Sequence, residues 1–411
     1  MKLYKNILLS FVTIASLNAT TLNEIIDSTL NNNQNIKSLK LQNSSLEQTK
    51  QAYTNSYYPT LNLGANYLKL DGDMRDTQIG QTTTAFAKFS IDLYNGGKNE
   101  ALKKQKEYES KSAKNQTKQE IRKTMLQVVT LYFNAKTIDD NIKVLKEKAI
   151  ALKAQYERVK IRYDLKMTTI DEVLKLQSEY ESNNYEIEDL KYQKEQNLQN
   201  LELVSNMQIK SFDTDKLSDI KTLNYTPSYS IKSLQNNILA KDELKNITKS
   251  EKSFQVKVED TYNIYDYDDY NQKFAQNLPK QQNQLMLSVN YKLFDTSTDE
   301  KTQAVRLAKL SLVEQLKFTK RQEKINFKLS KKKLEIQKAK INSLKSAVKM
   351  AKSVYDMTKI KYENGVVDNI AYLDALSKKA YYLALFQQSL NDYEIAKANY
   401  YFNSGVEKLL R

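Results

Sequence analysis

The stretch YERVKIRYD, Tyr156–Asp164, reappears as YDMTKIKYE, Tyr355–Glu363, with Tyr, Lys, Ile and Tyr identical, Arg over Lys and Asp over Glu, at an offset of 199. A second landmark, Leu93-Tyr94-Asn95 over Leu293-Phe294-Asp295, keeps an offset of 200. Two landmarks at nearly one spacing mean that a whole unit is duplicated rather than a short motif. Each copy opens on strand-like alternation and continues into a stretch without helix breakers. No Gly or Pro stands between Gly97 and Pro227, nor from Lys280 to Asn364. Gly and Pro end helices, so these stretches permit very long ones.

The spacing predicts a first repeat over 20–210, with an N-terminal helix, strands at about 60–70 and 83–95, and a helical hairpin at about 98–207. The second repeat, 211–411, has a helix at about 228–250, strands at about 253–264 and 285–294, and a hairpin at about 300–402. In the first long helix Ile121, Met125, Val128, Tyr132, Ala135, Ile142, Leu145, Ala149, Leu152, Tyr156, Val159 and Tyr163 recur at steps of three and four with one gap. That is a narrow coiled-coil seam. A helix from Lys98 to Asp164 runs roughly 100 Å at 1.5 Å per residue.

The strands alternate with period two. Leu61, Leu63, Ala65 and Tyr67 share one face, as do Ala85, Ala87, Phe89, Ile91 and Leu93; Phe254, Val256 and Val258 repeat this, then Leu285, Leu287, Val289, Tyr291 and Leu293. The polar runs Asp71–Thr82 and Asp266–Gln284 read as loops. A soluble half-buried hairpin alternates identically, so the pattern by itself leaves both readings open. Four strands cannot close a barrel, and an open edge in lipid leaves backbone groups unsatisfied. Either the sheet is soluble, or several chains pool strands; three chains would give twelve, within the range of outer-membrane barrels.

Composition removes other classes. Cys, His and Trp are absent, and Gly and Pro number only 7 and 3 of 411 residues. Thiol nucleophiles, imidazole bases and most zinc or copper ligands go with them. No carboxylate pair converges at a defined spacing and no phosphate-binding loop is present, so neither an enzyme nor a cofactor is expected. The net charge of +15 comes from lysines interleaved with Glu, Gln and Asn on helix faces, which reads as a solvated surface and not as a nucleic-acid site. Residues 1–19 read as an export signal, with Lys2 and Lys5 before the apolar run Ile7–Leu17 and Ala19 at the cut.

With TLNEIIDSTLNNNQNI from Thr21, YYPTLNLGANY into the first strand, SIDLYNGGKNEA leaving the second, VTLYFNAKTIDDNIKVL in the long helix and KYENGVVDNIAYLDAL at the second hairpin turn, the chain resembles the TolC family of outer-membrane channel proteins. The resemblance implies a homotrimer: a twelve-stranded barrel in outer-membrane lipid that continues into a periplasmic α-helical tunnel. It also implies an inner-membrane pump as partner, reached through a periplasmic adaptor. The family's aperture carries two acidic rings three residues apart, at positions that read Ala371 and Asp374 here; Asp368, one turn earlier, is the candidate for a second ring. The family's closing tie between a tyrosine and an acidic residue maps onto Tyr362 and Glu172, whereas the arginine of a second tie is replaced by Val367. Adaptor contact maps onto the two turns, with Arg162, Tyr163, Lys166, Lys361 and Gly365. Gly365 suits a left-handed helix end, and Lys166 at the corresponding place implies that the first turn closes differently. The rival reading is a soluble periplasmic coiled-coil adaptor or scaffold, which has the same helical period.

Overall fold

The computed structural model describes residues 20–71, 78–209, 212–213, 216–218, 222–268 and 277–406. The export signal expected at 1–19 and the central parts of both polar loops lie outside these residues. In chain order the elements are α1 (Leu22–Asn32), α2 (Gln34–Asn55), β1 (Thr60–Lys69), β2 (Gln81–Asn95), α3 (Lys98–Asp164), α4 (Ile170–Ser205), α5 (Tyr229–Ser250), β3 (Gln255–Asp268), β4 (Gln281–Asn290), α6 (Thr296–Glu363) and α7 (Asn369–Ser404). They fall into two compact units that cut across the sequence repeats: residues 1–37, 120–226 and 324–411 form one, residues 38–119 and 227–323 the other. The helices α3 and α6 each have one end in each unit.

The second of these units holds an antiparallel sheet of order β1-β2-β3-β4. Its register stacks Leu61 on Phe89 and Leu63 on Ala87 in the first pair, and Val258 on Leu287 and Val256 on Val289 in the last. Direct cross-strand partners share a face, so the alternating apolar residues merge into one band. Leu61, Leu63, Leu285, Leu287 and Val289 are all exposed on it. The opposite face is polar, with Glu259 accepting from Lys88 at 3.0 Å and Lys257 at 2.7 Å.

The second strand pair differs from the sequence expectation. β3 runs on to Asp268, and β4 starts at Gln281 and ends at Asn290, short of Leu293. Strand pairing is made by the backbone, so it continues past the apolar band into the run Gln281-Gln282-Asn283-Gln284. There the amides gain partners across the hairpin: Tyr262 Oη donates to Gln281 at 2.8 Å and Tyr265 Oη to Gln282 at 3.3 Å.

Both long helices begin on equivalent caps. Asn95 accepts from the Asn99 amide at 3.3 Å; Asp295 accepts from the Thr298 amide at 3.1 Å and the Thr298 hydroxyl at 2.7 Å. A cap satisfies donors that the first helical turn leaves orphaned, which is why α6 starts at Thr296 and not near residue 300.

The first unit is centred on α3. Val128, Val129, Tyr132 and Phe133 are buried against Ile25 and Ile26 of α1, Leu201 of α4 and Ala398 of α7. Buried polar groups fasten the connecting segments. Glu394 and Lys397 pair at 2.9 Å while holding the amide and carbonyl of Leu217 at 2.9 and 3.1 Å. Arg122 donates to the carbonyls of Tyr401 and Phe402 at 3.4 and 2.8 Å, closing the end of α7. Glu394 and Lys397 thus match each other and the backbone, as burial requires, while Arg122 meets the two carbonyls through Nη2.

The two hydrogen bonds from Thr298, followed by nearby Lys292, hold the Asp295 carboxyl down at about 2, below its ordinary 3.8. A depressed carboxyl stabilises the fold above its unfolded pKa and loses that contribution as pH falls through the folded one. Amides of the first α6 turn should therefore exchange hydrogen faster as pH drops from about 4 to about 2, after correction for intrinsic rates. Asp295→Asn, which reproduces the Asn95 cap, should abolish this acid response while keeping the turn.

Candidate functional site: the two hairpin turns

The turns between α3 and α4 and between α6 and α7 both lie in the first unit and close by one backbone pattern. In the first, the Lys166 amide donates to Tyr163 O at 2.8 Å and the Met167 amide to Arg162 O at 2.8 Å; in the second, Gly365 donates to Tyr362 O at 3.0 Å and Val366 to Lys361 O at 2.8 Å. Lys166 and Gly365 take φ of 63° and 71°. This corrects the expectation that Lys166 forces a different closure: lysine adopts the left-handed conformation that glycine adopts in the second repeat, because the paired bonds to the helix end outweigh a backbone cost of about 1–2 kcal/mol. Arg162, Tyr163, Lys166, Lys361 and Gly365 all stand exposed around these turns, together with the apolar Leu165, Met167 and Val366.

Beyond the turns the return helices start unequally. Asp368 caps α7, its carboxylate accepting from the Ala371 amide at 2.9 Å. Thr169 precedes α4 without a side-chain cap bond. The hydroxyl of Thr168 donates to Glu172 at 2.7 Å. Asp374, exposed on the next turn of α7, accepts from Lys378 at 2.7 Å. The aperture candidate thus has a counter-charge on its own helix, a partner that the family mapping did not include.

Tyr362 is buried, and its ring stacks on Tyr372 with centroids 5.1 Å apart. Tyr372 meets Tyr355 at 5.9 Å between centroids, their hydroxyls 3.4 Å apart, and Lys379 lies 4.3 Å over the Tyr355 ring. Leu152 and Val159 of α3, Val173 and Leu176 of α4, and Leu373 and Leu376 of α7 complete the cluster. Burial, then the charge of Glu172, pushes the Tyr362 hydroxyl above its ordinary value. Burial followed by the Tyr355 hydroxyl does the same to Tyr372. Among the described residues Tyr362 and Glu172 share no hydrogen bond, and Tyr362 is held by ring packing. Sequence reasoning missed Tyr372, whose signal was its place one turn after the Asp368 cap, on the seam side of α7.

Buried polar groups beside the cluster are not all matched. Asn369, 3% exposed, finds no hydrogen-bond partner for either end of its amide. Leaving such a group buried costs about 1–3 kcal/mol.

The turn geometry fixes the sign of two substitutions. A Cβ on Gly365 would meet nothing within 4 Å, so Gly365→Ala pays only backbone strain; it should destabilise by about 1 kcal/mol. Lys166→Gly should stabilise by a similar amount, since it relieves that strain. Chemical denaturation of the two variants would check both signs.

Residues 25–206 match the outer membrane efflux protein family. No curated protein sequence matches this one. Among solved structures, the CmeC outer membrane channel of Campylobacter jejuni is 14% identical, with a TM-score of 0.84 over 93% of this chain and 85% of that one. The outer membrane protein VceC of Vibrio cholerae is 12% identical, with a TM-score of 0.79 over 93% and 96%. The MtrE outer membrane channel of Neisseria gonorrhoeae, solved in its open state, is 13% identical, with a TM-score of 0.77 over 93% and 89%. The chain is thus similar to the outer membrane efflux protein family over residues 25–206 and shares across both repeats the fold of these outer membrane channels.

Proposed function

We propose that this chain is one protomer of a homotrimeric exit duct in the outer membrane, fed by an inner-membrane pump through a periplasmic adaptor. The observation that carries this reading is the four-stranded sheet with an exposed apolar band and two outer strands, β1 and β4, each paired on one side only. Lipid would accept the band but not the free edges, whose donors and acceptors need partners. Three copies joined β4 to β1 give twelve strands with every edge paired. An efflux role accords with the family, and the absence of a catalytic constellation in the sequence leaves the driving energy to the pump.

In this reading the hairpin turns form the closable end. Asp374 from three copies converges on the axis as an acidic ring; Asp368, already engaged as a helix cap, adds negative potential nearly two turns below it. Tyr362, packed on the Tyr372 ring, and Glu172 form the tie that holds the closed arrangement. Asn369 makes that arrangement easier to leave, because its amide gains hydrogen bonds to water as the cluster opens. Arg162, Tyr163, Lys166, Lys361 and Gly365, beside exposed Leu165, Met167 and Val366, form the surface offered to the adaptor.

Planar-bilayer conductance of the detergent-extracted protein tests the reading. A trimeric mass with cation-favouring currents is expected; a water-soluble, non-conducting protein would return the chain to the scaffold reading. Asp374→Ala should lower the cation-to-anion permeability ratio by about twofold or more. Lys378→Ala should raise it, because it removes the counter-charge.

A further inference from the structure

The second unit contains a basic cleft between the end of α5 and the start of α6. It encloses about 370 Å3, and Lys245, Lys249, Gln303, Arg306 and Lys309 line it together with one carboxylate, Asp299. The two helices run in opposite directions and are held in step at two levels, by Lys252 with Asp299 and by Lys309 with Asp242 at 2.8 Å. Lys249 therefore stands level with Thr302, and Lys245 with Arg306.

Cations outnumber their partners in this cleft. Lys245 and Lys309 both bond a single oxygen, Asp242 Oδ1, each at 2.8 Å, so one positive charge is left over there. Asp299 is already taken by Lys252. Lys249, Gln303 and Arg306 are exposed, and none of them makes a hydrogen bond or ion pair among the described residues. An arginine, a lysine and an amide thus point their unused donors at one water-filled space.

The cleft lies next to the sheet. Phe254 and Tyr291 stack with centroids 4.4 Å apart where β3 begins and β4 ends, and Phe294 follows just before α6. All three rings are exposed, and Phe254 and Tyr291 continue the alternation of Val256 and Val289 on the apolar band. Aromatic side chains gather where lipid tails meet headgroups. From Thr296, Thr302 lies about 9 Å and Arg306 about 15 Å along α6 at 1.5 Å per residue. Headgroups add roughly 5–8 Å on each side of the hydrocarbon, and extended lysine and arginine side chains span the remaining distance.

We propose that this cleft holds the phosphate of an acidic phospholipid from the periplasmic leaflet of the outer membrane. Arg306 offers a planar pair of donors to two phosphate oxygens, Lys249 adds a point charge, and Gln303 donates to the headgroup. A lipid is favoured over free phosphate because one molecule can place its phosphate in the cleft and its acyl chains against Phe254 and Tyr291. An acidic headgroup is favoured over a zwitterionic one, which would bring its own ammonium group into a space with surplus positive charge. The site rests on the outer-membrane reading above and adds a contact that fixes the depth of the chain in the bilayer.

Native mass spectrometry of the detergent-extracted protein tests this, with phosphatidylglycerol and phosphatidylcholine of matched acyl chains as probes. The wild type should retain phosphatidylglycerol in preference by about fivefold or more. Lys249→Gln/Arg306→Gln should lose that preference while keeping the wild-type mass, and Arg306→Lys should keep part of it. Lys324→Gln/Lys331→Gln, which removes two exposed lysines farther along α6, should leave it unchanged. An unaltered preference in the Lys249/Arg306 variant would overturn the proposal, as would an equal loss in the Lys324/Lys331 variant, which would mean diffuse charge. Inorganic phosphate binding as tightly as the lipid would also overturn it in favour of a soluble anion, while the exit-duct reading stands. A wild type recovered from cells in the soluble fraction without detergent would remove the outer-membrane reading as well.

Discussion

A strand can pair on two sides, and a sheet of four leaves its first and last strands half satisfied. In this chain those strands, β1 and β4, also border the exposed apolar band that runs through Leu61, Leu63, Leu285 and Leu287. In water the band is the cost and the edges are harmless; in lipid the reverse holds. No rearrangement within one chain removes both penalties, because a two-hairpin sheet is too narrow to close on itself. The duplication follows from the same limit: each repeat brings one hairpin, and pairing of β2 with β3 joins the repeats before any second copy is involved.

The helical part solves a different problem. Coiled-coil seams leave most of each helix wet, so four long helices need fasteners at defined levels more than a thick core. The charges Glu394, Lys397 and Arg122 serve there: each is buried, and each holds backbone atoms of a segment with little secondary structure or of a helix end. Replacing one partner alone would strand a buried charge, at roughly 3–5 kcal/mol. The Lys194, Asp139, Asp140, Asn391, Asp392 and Lys340 level acts as a second fastener and fixes the vertical register of all four helices.

At the turns, packing and polarity pull in opposite senses. Three tyrosines in ring contact, Tyr355, Tyr362 and Tyr372, pack into the apolar cluster, whereas Asn369 is buried without partners and Asp374 with Lys378 stays in solvent. A cluster held by rings and opposed by an unmatched amide has a smaller margin than a fully matched one. Such a margin accords with a segment that the proposed function requires to move.

The alternation of β1 and β2, the two long helices without Gly or Pro, and the 199-to-200 offset were legible because period, breakers and repetition are local properties of the chain. The αL conformation of Lys166 was not, since its driving force is a pair of bonds to the end of α3 and not the residue's own preference. Nor were the bounds of β3 and β4, where backbone pairing carries the sheet past its apolar residues. Of the candidate site residues, Asp374 and Tyr362 could be placed on α7 and α6 from the turn motif, but their partners Lys378 and Tyr372 required coordinates. The sequence by itself determined the elements, their duplication and the apolar face of each strand, because these depend on spacing along one chain. Only the tertiary structure decided how the four long helices are ordered, α4 to α3 through Lys194 and Asp139, α3 to α7 through Asp140 and Asn391, and α7 to α6 through Asp392 and Lys340, because that order is set by contacts between residues 52 to 251 positions apart.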